Sequence, residues 1–208
     1  TELKAGEFTE LAFASYADEN HVAVADDMAI DVVYTWVDNT DSQWQKTYQY
    51  HKSQSKQTNI GRFATDAARF SNHNELYYSI KSVKRYLPWV RHIYIVSDGQ
   101  IPDWLHEFTN VTIIHHKDII DEQYLPTFNS HVIEAFLHKI PNLSENFIYF
   151  NDDVFIAKPL EKKHFFGANH LASLFISAKS LQAMKERGLN TSTLFACFNS
   201  INLLNRHY

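Results

Sequence analysis

A short apolar run that ends directly in acidic residues is the feature that most constrains the fold of this chain. Residues 147–150, Phe-Ile-Tyr-Phe, continue without a turn signal into Asn151, Asp152 and Asp153. Such a run predicts a strand that is buried on both faces, and residues 155–156 are expected to continue it briefly. Ligands bind at the carboxyl ends of the strands of an open α/β sheet, so these side chains are candidates for binding a metal ion and phosphate. The alternative is a polar turn with an Asx cap.

Two other predicted strands also lead into aspartates. Residues 30–37 form a β-branched and aromatic run that is followed by Asp38 and Asp41, and residues 93–96 form a shorter run that is followed by Asp98. Asp38 and Asp41 could serve a metal ion, a ribose or an Asx turn. Three strands would therefore carry carboxylates at the same edge of one sheet.

A helix is predicted between the first two of these strands. Its apolar positions recur at helical spacing before Pro88, and they are Leu76, Ile80, Val83 and Leu87. Asn72 is the expected N-cap. Arg62 and Arg69 precede this helix, where the free N–H groups and the helix dipole favour an anion, although exposed ion pairs are the alternative interpretation of both arginines.

A further strand, residues 111–114, is followed by His115, His116 and Asp118. Adjacent histidines on an extended chain point to opposite faces, which argues against a zinc site. One histidine could instead act as an acid, a base or a donor to phosphate.

Helical patterns account for most of the remaining chain. Asn129 or Ser130 is expected to cap a helix that leads through Pro141 to the strand at 147–150, and residues 177–187 and 191–206 are also predicted to be helical. The alternation of strands and helices predicts an α/β fold with a mainly parallel sheet flanked by helices. No Gly-rich phosphate-binding motif follows the first strand, so phosphates would need a metal ion and arginine.

Composition limits the partners of this chain. The 19 basic and 24 acidic residues give a net charge of −5 with both signs dispersed, so no basic face for nucleic acid is evident. The single cysteine, Cys197, excludes an internal disulfide and is compatible with a reducing cytoplasm. No apolar run approaches 18 residues and no signal-peptide pattern opens the chain. We expect a cytoplasmic protein that does not span a membrane, with peripheral attachment to one still open.

The chain is expected to consist of an N-terminal extension, residues 1–28, and an α/β core, residues 29–208. The last predicted helix runs to Tyr208 without a capping residue. This leads to the expectation that the core is incomplete at its C-terminus and belongs to a longer protein.

Several long strings in the sequence resemble the Stealth family of sugar-phosphate transferases. Residues 30–38, Ile-Asp-Val-Val-Tyr-Thr-Trp-Val-Asp, resemble the first conserved region of this family. The second conserved region is matched by several segments, which are residues 69–79, 88–105, 125–130 and 151–153. The resemblance covers about residues 29 to 166, and strings of this length are highly specific. The family includes bacterial capsular polysaccharide polymerases and the lysosomal-enzyme N-acetylglucosamine-1-phosphotransferase, and the low cysteine count and short length favour the bacterial branch.

The resemblance implies a nucleotide-sugar-binding core of the glycosyltransferase A type, which is Rossmann-like. It implies transfer of a hexosamine 1-phosphate from a UDP-sugar to a glycan hydroxyl, with release of UMP. Asp152 and Asp153 match the Asn-Asp-Asp motif of the family and are the predicted ligands of Mg²⁺ or Mn²⁺, with Asp38 near the donor. The remaining candidates are His116 as the base and, for contacts to phosphate or sugar, Arg69, Asp98, Asn129 and Ser130.

Two departures from the family pattern affect this interpretation. Asn39 occupies a position where the family commonly has Gly, a change that is tolerable because Asn also adopts left-handed conformations. The third and fourth conserved regions of the family would follow Tyr208, so a base or a further metal ligand could lie there and this fragment could be inactive. A metal-dependent glycosyltransferase that releases UDP and a non-catalytic module that binds nucleotide sugars are the alternatives.

Overall fold

A sheet of four parallel strands forms the centre of the structure, a computed structural model that describes residues 28–54, 72–173, 180–188 and 191–207. The strands lie in the order β3-β2-β1-β4, and they are β1 Ile30–Thr35, β2 Ile93–Ser97, β3 Val111–His115 and β4 Asn146–Asn151. All three strand pairings are parallel. The predicted α/β class and the four predicted strands are therefore confirmed, and the architecture is consistent with a glycosyltransferase A-type core.

Helices flank this sheet and follow it in the chain. The α-helices are α1 Ser42–Gln54, α2 Glu75–Tyr86, α3 His116–Ile119, α4 Ser130–Phe136, α5 Leu181–Glu186 and α6 Ser192–His207. Short 3₁₀ helices span Asp103–Glu107, Glu122–Tyr124, Leu137–Lys139 and Lys162–His164. Within the described ranges, no helix is both long and apolar enough to cross a membrane.

The two faces of the sheet carry different helices because the direction of strand addition reverses. Val32 and Tyr34 of β1 pack with the apolar side of α2 on one face. Val33 of β1 packs with Ile133 and Leu137, which belong to the connection between β3 and β4, on the other face. Right-handed crossovers that add strands in opposite directions from β1 must lie on opposite faces. The reversal makes the gap between the carboxyl ends of β1 and β4 a topological switch point.

The prediction that β4 is buried on both faces is wrong. Residues 147–150 are only half-buried, whereas the residues of β2 are buried throughout. The reason is the position of β4 at one side of the described sheet, where β1 is its single strand neighbour. The apolar run itself could not distinguish a central strand from this edge position.

The prediction that residues 155–156 continue β4 is also wrong. The chain turns at Asp152 and Asp153, and the amide of Val154 donates to the carbonyl oxygen of Asn151 at 3.2 Å. The following residues then run along α2 rather than along β1, and hydroxyl groups of that helix hold their backbone.

The start of α2 differs from the prediction in one respect. Asn74, and not Asn72, is the N-cap residue, and it has a left-handed backbone with φ of 65°. The side chain of Asn72 instead accepts a hydrogen bond from the amide of Asn74 at 3.0 Å. Residues 1–27 of the predicted N-terminal extension, Arg62 and Arg69 lie outside the described residues.

An ion pair between the buried Asp31 and the partly exposed Arg91 joins β1 to the chain at the amino-terminal edge of the sheet. Asp31 is fully buried and accepts hydrogen bonds from Nε and Nη2 of Arg91 at 2.9 and 2.5 Å. The amide of Ser144 also donates to Asp31, at 2.8 Å. Burial alone would raise the pKa of Asp31, but these hydrogen bonds outweigh it and hold the pKa below its ordinary value.

Candidate active site

The acidic residues predicted from the sequence gather at the switch point of the sheet. Thr35 and Asn151 are paired in the register of β1 and β4, so these two strands end side by side. Asp38 follows the first strand, and the acidic doublet, Asp152 and Asp153, follows the second. The crevice at such a switch point is the usual ligand site of an open α/β sheet.

Asp38 is held in place by its own turn and by two neighbouring segments. Its Oδ1 accepts hydrogen bonds from the amide and the hydroxyl of Thr40 at 2.8 and 2.7 Å, which is the Asx turn considered as an alternative. Its backbone exchanges two hydrogen bonds of 2.8 Å with the side chain of Gln100. Burial raises the pKa of Asp38, but hydrogen bonds from Thr40 and Asn72 outweigh this effect and keep the pKa below its ordinary value. Asp38 is therefore ionised at neutral pH.

The acidic doublet has the opposite electrostatic character. Asp152 is half-buried and Asp153 is exposed. Burial raises the pKa of Asp152 to about 6, and the negative charges of Asp153 and Glu75 contribute to the rise. Ionisation of Asp152 is therefore costly in the isolated chain, and a cation close to its carboxylate would relieve this cost.

Asp38 and the acidic doublet face the same end of one helix. Asn72, which binds Asp38, and Glu75, which repels Asp152, both lie at the N-terminus of α2. The two acidic segments thus open onto one region rather than onto different sides of the molecule.

The donor atoms of the doublet fit a magnesium or manganese ion that is shared with phosphate. Within the described ranges, no group of three or more His, Cys, Asp or Glu side chains is placed to hold a metal ion. Mg²⁺, however, commonly binds to one or two carboxylates and takes its other ligands from water and substrate phosphates. Asp152 and Asp153 supply two carboxylates with an excess of negative charge, which satisfies that requirement.

Asp98 and His116 form a separate pair on the carboxyl ends of β2 and β3. His116 is buried, and its Nδ1 lies 3.8 Å from Oδ1 of Asp98, which is too far for a hydrogen bond. Burial lowers the pKa of His116, and the charge of Asp98 offsets part of this effect. His116 is consequently neutral at pH 7 and able to accept a proton.

The loop before α4 contributes the remaining described candidates. The side chain of Asn129 accepts a hydrogen bond from the amide of His131 at 3.0 Å, which confirms Asn129 as the helix cap and makes Ser130 the first helical residue. Phe128 packs edge-on against Trp44 and Tyr48 of α1, so this loop and the helix that follows Asp38 are neighbours. Arg69 lies outside the described residues.

The sequence did not point to a polar network beside the doublet. The hydroxyl of Tyr149 lies 2.9 Å from Oγ1 of Thr35 and donates to Oδ1 of Asn151 at 3.1 Å, with Oε1 of Glu134 3.4 Å away. Burial raises the pKa of Tyr149 to about 12. Glu134 lies in a predicted helix whose apolar positions indicate only its core face, and Tyr149 lies in a run that predicts an apolar strand. Side chains alternate between the two faces of a strand, so Tyr149 and Asn151 of β4 lie on the same face. This alternation is the sequence signal that connects Tyr149 with Asn151.

Two clefts lie at the other, amino-terminal edge of the sheet, with volumes of about 230 and 620 Å³. Arg91, His92 and Asn110 line both of them. Arg91 is already engaged by Asp31, and neither cleft is lined by a carboxylate. The carboxyl edge is therefore the better candidate for chemistry on a phosphate.

The chain matches two family models that together cover most of the described residues. Residues 28–56 match conserved region 1 of Stealth proteins, and residues 69–174 match conserved region 2.

Curated relatives match over a longer range. The capsular polysaccharide phosphotransferase LcbA of Neisseria meningitidis is 60% identical over 181 residues, which are 86% of this chain and 49% of that protein. The capsular polysaccharide phosphotransferase cps12A of Actinobacillus pleuropneumoniae is 59% identical over 86% of this chain and 48% of its own length. An exopolysaccharide phosphotransferase of Streptomyces coelicolor is 44% identical over 71% of this chain and 16% of its own length.

The chain thus spans about half the length of the first two of these relatives. Its match to conserved region 2 alone extends over residues 69–174, half of its 208 residues. With the additional match to conserved region 1, these findings show that the chain belongs to the Stealth family.

Proposed function

We propose that the protein containing this chain is a capsular polysaccharide phosphotransferase that transfers a hexosamine 1-phosphate from a UDP-sugar to a hydroxyl group of a glycan. The observation that carries the proposal is the position of Asp38 and the acidic doublet at the switch point between β1 and β4. The names of the relatives, which describe capsular polysaccharide phosphotransferases, agree with it.

In the proposed reaction, the acceptor hydroxyl oxygen attacks the phosphorus atom that carries the hexosamine. A new phosphorus–oxygen bond forms to the acceptor, and the bond between this phosphorus and the bridging oxygen of the diphosphate breaks. UMP leaves with that oxygen, and a base takes the proton of the hydroxyl. The product is a phosphodiester between hexosamine and glycan.

The described residues have distinct roles in this proposal. Asp152 and Asp153 would hold Mg²⁺ or Mn²⁺, which neutralises the charge of the diphosphate when it is bound. Asp38, ionised and fixed by Thr40, would lie near the donor. His116, neutral because it is buried, is the proposed base. The proposed contacts to phosphate or sugar come from Asp98, Asn129, Ser130 and Arg69.

The nucleotide product tests the proposal. The full-length protein is incubated with a UDP-hexosamine, an oligosaccharide acceptor and Mg²⁺, and the released nucleotide is identified by chromatography. We expect UMP, with product formation lost in the Asp152→Asn and Asp153→Asn variants. Release of UDP would show a glycosyltransferase instead, and donor binding by calorimetry without any product would show a non-catalytic module.

The cellular setting of the reaction belongs to the same proposal. We place the protein in the cytoplasm, either free or attached peripherally to the inner face of the bacterial membrane, with a UDP-hexosamine and an oligosaccharide as its partners and no nucleic acid. Fractionation of cells that express the full-length protein tests this placement.

A further inference from the structure

The segment that follows the acidic doublet is fixed to α2 by two serine hydroxyl groups. Ser79, which is fully buried, donates from Oγ to the carbonyl oxygen of Val154. Ser82, one turn later on the same helix, accepts a hydrogen bond from the amide of Ile156 at 2.9 Å. The backbone is therefore held on both sides of Phe155, beginning with the residue next to the doublet.

The donor and the acceptor can be assigned in each hydrogen bond of the two serines. A hydroxyl group has one proton to donate. Ser79 donates its proton to Val154, so the hydroxyl of Tyr34, 2.7 Å from Oγ of Ser79, must be the donor in that pair. Ser82 donates to the carbonyl oxygen of Ser79 at 2.7 Å and is thus free to accept from Ile156.

We propose that Ser79 and Ser82 are positioning residues that hold the acidic doublet in the geometry required for phosphoryl transfer. Val154 follows Asp153 directly, so a shift of its carbonyl group moves the carboxylates on which the reaction depends. Displacement of a catalytic group by about 1 Å can reduce a rate by about a hundredfold. The expected effect on the reaction rate rests on the proposed function. The hydrogen bonds that hold the backbone of Val154 and Ile156 belong to the fold itself.

A pair of variants separates positioning from stability. Ser79→Ala removes the bond to Val154, whereas Tyr34→Phe removes a buried hydroxyl of the same network and leaves that bond in place. Tyr34→Phe deletes one buried hydrogen bond, and Ser79→Ala deletes two because Ser79 also accepts from Tyr34. Each lost bond costs about 1 to 3 kcal/mol of stability. In the full-length protein we expect Ser79→Ala to lower kcat by about tenfold or more with KM for the donor changed less than about threefold, and Tyr34→Phe to keep kcat within about threefold.

Hydrogen exchange of the backbone amides provides a readout that does not depend on turnover. We expect exchange at residues 152–156 to be about tenfold faster in Ser79→Ala than in the wild-type protein or in Tyr34→Phe. The inference would be overturned if both variants exchanged at the same rate. It would also be overturned if Ser79→Ala exchanged faster but had the same kcat as Tyr34→Phe. If the wild-type protein releases UDP or nothing, the proposed function fails, and the exchange comparison still decides whether Ser79 fixes the doublet.

Discussion

Replacement of Asp152 by Asn should make the protein more stable at neutral pH and leave it unchanged in acid. Burial and the charges of Asp153 and Glu75 raise the pKa of Asp152 from 3.8 to about 6. The folded chain then binds more protons than the unfolded chain between these two pH values, so its stability falls as the pH rises through this window and stays low above it. At roughly 1.4 kcal/mol for each tenfold change in proton affinity, with some screening by solvent, the loss is about 2 to 3 kcal/mol.

Unfolding by urea from pH 4 to pH 8 measures this effect. The free energy of unfolding of Asp152→Asn should exceed that of the wild-type protein by about 2 to 3 kcal/mol at pH 8, and the two should converge near pH 4. Asp103→Asn, which removes an exposed carboxylate from a 3₁₀ helix, controls for the change in net charge. A difference between wild type and Asp152→Asn that is constant across this range would refute the electrostatic argument.

Three further predictions concern other parts of the molecule. Asp31→Asn should lower the free energy of unfolding by about 1 to 3 kcal/mol, because it weakens the hydrogen bonds that the buried Asp31 accepts from Arg91 and from the amide of Ser144. Asp121→Asn, which breaks the exposed pair with Lys139, should cost about 1 kcal/mol or less in the same urea titration. A chelator such as EDTA should abolish nucleotide release by the full-length protein and Mg²⁺ or Mn²⁺ should restore it; full turnover in EDTA would exclude the proposed role of the doublet. Asp38→Asn should reduce kcat/KM for the donor by about tenfold or more with nearly unchanged stability, which steady-state kinetics and thermal unfolding can separate.

The strands and the main helix of this fold could be predicted because their signals are local. The β-branched and aromatic run of β1 and the helical spacing of Leu76, Ile80 and Val83 each occupy a single segment, and burial confirms both. The acidic strand ends could be identified for the same reason. Parallel strands bring these ends to one edge of the sheet, but the strand order decides which of them are neighbours.

The order of the strands could not be predicted, because it depends on contacts between distant segments. β1 pairs with β4 across more than a hundred residues, and this pairing creates the switch point between Asp38 and the doublet. The course of residues 155–156 after the doublet could not be predicted for a similar reason. Apolar residues after a strand predict that the strand continues. The reason why the chain leaves the sheet is the hydrogen bond from Ser79, 75 positions before Val154.

The ion pair of Asp31 and Arg91 and the acidic doublet lie at opposite ends of the same parallel strands. Asp31 binds both Arg91 and the amide of Ser144, which lies just before β4, so the ion pair holds the beginnings of β1 and β4 together. The acidic doublet places adjacent carboxylates at the carboxyl end of β4, where burial and mutual repulsion raise the pKa of Asp152. The ion pair and the candidate site thus lie at separate ends of the sheet, so substitutions in the candidate site should leave the ion pair intact.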